Sequence, residues 1–251
     1  MAYTDKKFCW TGIATPDTAK AGAFYGETIG WTLGEHTFPD GDKVAMLAAG
    51  GVPRAHVRQP ASAKEPNHWV PYLRVADVDA ATKAASKHGG TVLEQPSDIA
   101  PGRFATIKSP SGAVFCLFHE ADEAGAQDAP AQGAGAVLWL ELHSGDAAAD
   151  LAFLSKSFGF ETGEMPMPDG GTYHLLKVGD EMRGGLCAAM TERPMWVTWV
   201  HVDDVDAALA RVENNGGSGL GAPMDYPGVG RLCMVKAHDG AVFGLMTPAA
   251  S

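Results

Sequence analysis

The sequence lacks a CxxC pair, a long apolar run, and any excess of positive charge. Each absence excludes something. Cys9, Cys116, Cys187 and Cys233 lie far apart, so neither a zinc ribbon nor a redox dithiol is expected. They read as reduced, mostly buried thiols of a cytoplasmic protein. A bilayer span needs roughly 18–20 consecutive apolar residues, and no segment approaches that. Met1 to Lys7 leads straight into a strand-like run without the apolar centre of a signal peptide. Lys and Arg number 19 against 30 Asp and Glu. The counterion-release attraction that draws proteins to nucleic acid is therefore missing. No strand-borne GxGxxG, P-loop, HExxH or G-x-S-x-G occurs. Gly216-Gly217-Ser218-Gly219 follows a helical pattern and reads as a helix exit. The partner left by these exclusions is a small molecule, with no nucleic acid and no membrane.

What the sequence has in quantity is glycine and proline, 31 and 16 in 251 residues. They mark a repeat. Trp10-Thr11-Gly12-Ile13-Ala14-Thr15-Pro16-Asp17 corresponds to Trp139-Leu140-Glu141-Leu142-His143-Ser144-Gly145-Asp146, and Pro39-Asp40-Gly41 to Pro168-Asp169-Gly170. Asp77-Val78-Asp79-Ala80-Ala81 returns as Asp204-Val205-Asp206-Ala207-Ala208, and Gly112-Ala113-Val114-Phe115 as Gly240-Ala241-Val242-Phe243. Within each half the pattern occurs twice. Asp17, Asp77, Asp146 and Asp204 each follow a short apolar run, and Gly30, Gly90, Gly159 and Gly217 each come 13 residues later. Asp is a helix N-cap and Gly a left-handed helix exit. Ala21, Phe24, Tyr25 and Thr28 keep helical spacing between the first pair. Three strand-like runs follow each helix, for example Thr91–Leu93, Phe104–Ile107 and Val114–Phe118. The unit is β-α-β-β-β, four times over. Glu120 to Gly135 is Ala-, Gly- and acid-rich and reads as a linker; Ala61 to Pro66 is a shorter one. The expected division is a first domain at 1–121, a linker at 122–135 and a second domain at 136–251.

Paired βαβββ units in tandem resemble the vicinal-oxygen-chelate superfamily of glyoxalases, bleomycin-resistance proteins and extradiol dioxygenases. Ala23-Phe24-Tyr25 with Ile29-Gly30-Trp31 looks like the family's first helix and exit. Ser109-Pro110-Ser111-Gly112 and Ala237-His238-Asp239-Gly240 look like its turn before the last strand. The two-domain layout is similar to a tandem subgroup of glyoxalase-like and hydroxylase-like proteins. The resemblance implies an α+β fold of two tandem domains, each with two βαβββ units curled into a cupped mixed sheet, as a monomer or homodimer. It also implies where a metal would sit. The first-strand ligand lies seven residues before the helix Asp, where this chain has Trp10, Val70, Trp139 and Val197. The last-strand ligand falls at His56, Cys116, Gly185 and Gly244. His56 and Cys116 are the weak candidates. A divalent metal at these positions, and any other cofactor, is not expected.

Strand parity selects the residues that face the cups. Trp10, Gly12 and Ala14 share a face, as do Val70, Tyr72 and Arg74. In the second half Trp139, Glu141 and His143 share one, as do Val197, Trp199 and His201. Trp10, Tyr72, Trp139, Trp199 and His201 are candidate walls for an apolar or aromatic oxygenated ligand. Trp10 and Trp139 serve equally well as plugs. Glu141 and His143 are the candidate acid–base residues, because a half-buried Glu is rarely unpaired and His exchanges protons near neutrality. Three functions remain open. One is a metal-independent binding protein. Another is a lyase, isomerase or hydroxylase-like enzyme acting on a carbonyl compound, with Glu141/His143 or a degenerate His56/Cys116 metal site. The third is an interaction scaffold with filled cups. Arg54 and Arg183 recur, as do Arg103 and Arg231, as ion pairs or as an anion clamp. His174 is expected at the surface.

Overall fold

Each helix begins where the repeat places an aspartate. In the computed structural model, which describes residues 5–60, 65–122, 132–167 and 170–249, α1 spans Thr18–Ile29, α2 Val78–Lys87, α3 Ala147–Phe158 and α4 Val205–Asn214. Asp17, Asp77, Asp146 and Asp204 cap them, accepting from the backbone N–H groups of Lys20, Ala80, Ala149 and Ala207. Gly30 and Gly159 end α1 and α3 in the left-handed conformation, as expected. The other two exits differ. The positive-φ residues are Gly89 and Gly216, one position earlier than Gly90 and Gly217. The N–H of Gly90 then donates to the carbonyl of Ala85, and that of Gly217 to Val212, the long closing bond of a Schellman turn. Glycine is needed at 90 for another reason. A Cβ there would lie 2.7 Å from the Phe153 ring.

The strands form two mixed sheets. The first uses β1 (Phe8–Ala14), β2 (Thr32–Thr37), β3 (Lys43–Ala49), β4 (Val52–Arg58), β5 (His68–Arg74), β6 (Thr91–Ile99), β7 (Gly102–Lys108) and β8 (Val114–Glu120). Their order is β2-β3-β4-β1-β5-β8-β7-β6. The second sheet uses β9 (Val137–Ser144), β10 (Glu161–Pro166), β11 (Thr172–Val178), β12 (Glu181–Ala188), β13 (Met195–His201), β14 (Ser218–Gly219), β15 (Met224–Tyr226), β16 (Gly230–Lys236) and β17 (Val242–Pro248). Its order is β10-β11-β12-β9-β13-β17-β16-β14, with β15 paired to β16. Each repeat joins its first and last strands in parallel and folds the others outward as antiparallel neighbours. This is the α+β architecture of two cupped sheets that the repeat implies. The fourth repeat departs from the pattern. Gly221, Ala222 and Pro223 interrupt its second strand, leaving β14 and β15 where the second repeat has the single β6. Proline cannot donate to a ladder.

The chain packs as two compact units, and each draws on both halves of the sequence. One contains Val70–Asp128 and Leu140–Trp196 with the N-terminal ten residues; the other contains Thr11–Trp69, Ala129–Trp139 and Val197–Ser251. In the first, Phe115, Phe153, Phe158 and Trp196 form an aromatic core between α2 and α3. In the second, Tyr25, Trp31, Trp69 and Phe243 do the same near α1 and α4. Glu120, expected at the start of a linker, instead ends β8 and accepts from Arg74 Nε at 2.7 Å. The rest of the expected linker lies mostly outside the described residues. So do Ala61 to Lys64 of the shorter link and the Pro168-Asp169 turn.

Several recurring charges are structural. Arg103 holds Asp79 at 2.7 Å and Asp98 at 2.8 Å; Arg231 holds Asp206 at 2.6 Å and Asp225 at 2.9 Å. The same clamp is made twice, and exposed pairs of this kind add little to stability because solvent screens them. Arg183 pairs with Glu181. Asp150 of α3 is fully buried and accepts from three donors. These are the Ser111 N–H at 3.1 Å, the Ser111 hydroxyl, and the Ser144 hydroxyl at 2.7 Å. His174 is half-buried rather than at the surface, with Glu164 3.6 Å from its Nδ1.

Candidate functional site

The parallel pairing at the centre of each repeat fixes which residues confront one another. Gly12 lies opposite His56, Tyr72 opposite Cys116, Glu141 opposite Gly185, and Trp199 opposite Gly244. At three of these four places the room beside a glycine is filled. A Cβ on Gly12 would lie 2.4 Å from the His56 ring, and one on Gly244 2.1 Å from the Trp199 ring. A Cβ on Gly185 would meet the Tyr173 hydroxyl at 1.8 Å. The fourth pair has no glycine. Tyr72 and Cys116 pack with Val70 and Phe118 into an apolar cluster, with Trp10 against it. Tyr72 meets Phe118 edge-on. Tyr72 is buried in this cluster and Trp10 is half-buried against it. Replacing Gly244 by alanine must displace the Trp199 ring. We expect a loss of about 1–3 kcal/mol, the usual cost of overpacking, with altered tryptophan near-ultraviolet circular dichroism. An unchanged spectrum and urea midpoint would contradict that packing.

The second sheet carries the polar exception. Glu141 and His143 are on one face of β9, and Cys187 of β12 is opposite His143. His143 Nε2 lies 2.7 Å from Glu141 Oε1, and Cys187 Sγ is 3.9 Å from the same oxygen. His143 is 0% exposed, Cys187 1% and Glu141 8%, so the carboxylate is the member of the group that reaches outward. His143 Nδ1 is buried without a hydrogen-bond partner. That selects a tautomer. A carboxylate only accepts, so the ring proton sits on Nε2, and the bare Nδ1 lone pair is the cheaper group to leave unmatched. The imidazole thus donates to Glu141 and holds its carboxylate in place.

The remaining sequence candidates are dispersed. Trp199 is buried, with its indole N–H lacking a partner; His201 and Trp139 are half-buried. His56 is half-buried, in the unit that contains Gly12. It donates to the Thr11 carbonyl, and burial together with nearby Arg58 pushes its pKa down to about 4. Cys116 lies in the other unit, 3.5 Å from the Thr106 hydroxyl. Neither joins a group of three candidate metal ligands among the described residues; Glu141, His143 and Cys187 form such a group.

Residues 10–118 match the model of the glyoxalase-like domain. The protein named "Putative glyoxylase CFP32" of Mycobacterium tuberculosis is 32% identical over 251 residues, covering 96% of this chain and 94% of its own. The chain belongs to the glyoxalase-like family. A second relative, the anthracycline biosynthesis protein DauV of a Streptomyces species, is 29% identical over 94% of this chain and 91% of its own. Among solved structures, the Mn(II)-bound glyoxalase from Novosphingobium aromaticivorans superposes with a TM-score of 0.67 at 18% identity, over 97% of this chain and 82% of that one. The catechol dioxygenase BphC superposes at 0.62 and 11% identity, over 100% of this chain and 90% of that one. At such identities the likeness shows the fold, here that of the vicinal-oxygen-chelate superfamily.

Within this glyoxalase-like chain, six of the eight positions that the resemblance assigns to metal ligands carry no suitable donor, and the two that do, His56 and Cys116, lie in different compact units. Trp10, Val70, Trp139 and Val197 offer no donor of the required kind. Gly185 and Gly244 have no side chain, and the space beside them is occupied by Tyr173 and Trp199. Sequence reasoning missed two members of the Glu141 site. Cys187 was accessible by parity, because it shares a face with Gly185. Tyr173 enters from β11, and no local signal in its own strand marks it.

Proposed function

We propose that this protein is an enzyme of the lyase or isomerase type. It moves a proton on a small oxygenated aromatic or carbonyl compound held against the second sheet, without a metal at the family's usual positions. The observation that carries this reading is the 2.7 Å contact between buried His143 and Glu141. Glu141 accepts the proton of a carbon acid next to a carbonyl. His143 fixes the carboxylate and spreads its charge during transfer. The Tyr173 hydroxyl, standing where a side chain at 185 would begin, is the nearby donor suited to the ligand's oxygen. A positioned carboxylate of this kind contributes roughly 10²–10⁴-fold to proton transfer.

The name of DauV supports an aromatic ligand, since anthracyclines are polycyclic aromatic ketones. The name of CFP32 supports carbonyl chemistry. The close apolar packing at Tyr72 and Cys116 supports placing the ligand on the second sheet. The test works across a panel of compounds. Aromatic hydroxyketones that quench tryptophan fluorescence are incubated with the protein in D₂O, and exchange at the carbon beside the carbonyl is followed by NMR. Wild-type protein should accelerate exchange, and Glu141→Gln should reduce it about 10²–10⁴-fold. Binding without exchange would leave a sequestering protein and overturn the enzyme reading.

A further inference from the structure

We infer that Glu141, His143 and Cys187 form a binding site for one divalent transition metal of the zinc class, displaced from the positions the family resemblance implies. The inference concerns the same residues as the function proposed above and rests on that reading only for the site's importance. Its own basis is the donor set. One imidazole nitrogen, one thiol sulfur and one carboxylate oxygen lie within 4.8 Å of one another, all on buried residues. Three protein ligands of mixed N, S and O type with a position left over describe an open tetrahedral zinc site. The thiolate disfavours magnesium and calcium, which take oxygen ligands.

The backbone supports this set. Parallel pairing places Cys187 directly opposite His143 and Gly185 opposite Glu141. Because 185 has no side chain, nothing from that residue stands beside the carboxylate. The three ligand atoms come from two adjacent central strands of one compact unit, so they are held by the ladder rather than by loops. The exposure is graded. Histidine and cysteine are sealed, while Glu141 retains 11% of its side-chain surface, which points the open coordination position outward. On binding, the Cys187 thiol gives up its proton to solvent, and the histidine proton moves from Nε2 to Nδ1. The charge balance is two positive against one thiolate and one carboxylate. The unmatched Nδ1–H then has the weakest support in the site, because ligating histidines usually donate that proton to a partner.

The test uses the purified full chain, stripped with chelator and titrated with Co²⁺ and Zn²⁺. We expect one metal per chain, intense visible Co²⁺ absorption of the tetrahedral kind, and a thiolate-to-cobalt charge-transfer band. X-ray absorption of the zinc form should fit one sulfur at about 2.3 Å and lighter ligands at about 2.0 Å. Cys187→Ser should abolish the charge-transfer band, and His143→Ala should weaken binding at least tenfold. The wild-type absorption data decide the matter even if either variant fails to fold. No uptake, or a metal shell without sulfur, overturns the proposal; so does a charge-transfer band that survives in a folded Cys187→Ser protein. Proton exchange in the chelator-stripped protein is scored separately. A protein that takes up no metal yet exchanges protons would leave the proposed function standing while this inference fell.

Discussion

Lowering the pH from about 7 to about 4.5 should cost the wild-type protein about 2.5 kcal/mol more stability than it costs His56→Gln. The difference comes from one imidazole. His56 is half-buried on β4 with its ring against Gly12, and it donates to the Thr11 carbonyl. Burial first, and then the charge of Arg58, lower its pKa from 6.5 to about 4. Above the unfolded value the ring is neutral in both states, and its contribution is fully present. Between that value and about 4, the unfolded chain takes up a proton that the folded chain refuses, so stability falls with pH. Below about 4 both states are protonated and the loss stops growing. Glutamine at 56 keeps an N–H donor for the Thr11 carbonyl but has no group titrating in this window. Urea midpoints measured across the range should diverge for the two proteins. Parallel curves would show that His56 protonates as readily in the folded protein as in the free chain.

The same residue illustrates how the sequence was legible. The fold could be read because each repeat spells its own boundaries. Asp17, Asp77, Asp146 and Asp204 cap helices, and the glycines that follow close them, through side-chain and backbone chemistry that depends on adjacent residues alone. Where the closing glycine is doubled, at Gly89-Gly90 and Gly216-Gly217, spacing chose the second and the chain uses the first. The site was legible only in part. Parity places Glu141 and His143 on one face, but whether their side chains meet depends on rotamers, which the strand period does not set. The 2.7 Å contact is therefore a structural fact. Tyr173 was beyond reach for a different reason. The pairing of β11 with β12 shifts register between Leu176 and Lys177, and a bulge of this kind leaves no mark in a period-two pattern. His56 falls at a ligand position by the family resemblance, and in the structure it is a half-buried donor to the Thr11 carbonyl with its pKa lowered to about 4.

Asp150→Ala should cost about 3–5 kcal/mol, with a fall in melting temperature on the order of 10 °C. The carboxylate is fully buried in α3 and is matched by three donors. Two come from Ser111 in the turn before β8, and one from Ser144 at the end of β9. Removing it leaves a backbone N–H and two hydroxyls buried without that acceptor, and alanine fills none of the vacated volume. The hydroxyls can turn elsewhere; the N–H cannot. The repeat makes the point sharper. By the same offsets, the residues corresponding to Asp150 and Ser111 in the other unit are Ala21 and Asp239. The helix there carries the small apolar residue and the turn carries the acid. Asp239 Oδ1 accepts from Ala241 N–H at 3.2 Å within its own turn, and α1 presents no counterpart of the Asp150 carboxylate. Alanine is thus acceptable at this helical position when the turn supplies its own acceptor, and damaging when the turn offers only donors. Asp150→Asn, which keeps one acceptor oxygen but adds two hydrogens facing a donor, should fall between wild type and alanine. A urea midpoint for Asp150→Ala within about 0.5 kcal/mol of wild type would mean that the serines find other partners, and that this buried carboxylate does not hold the turn to α3.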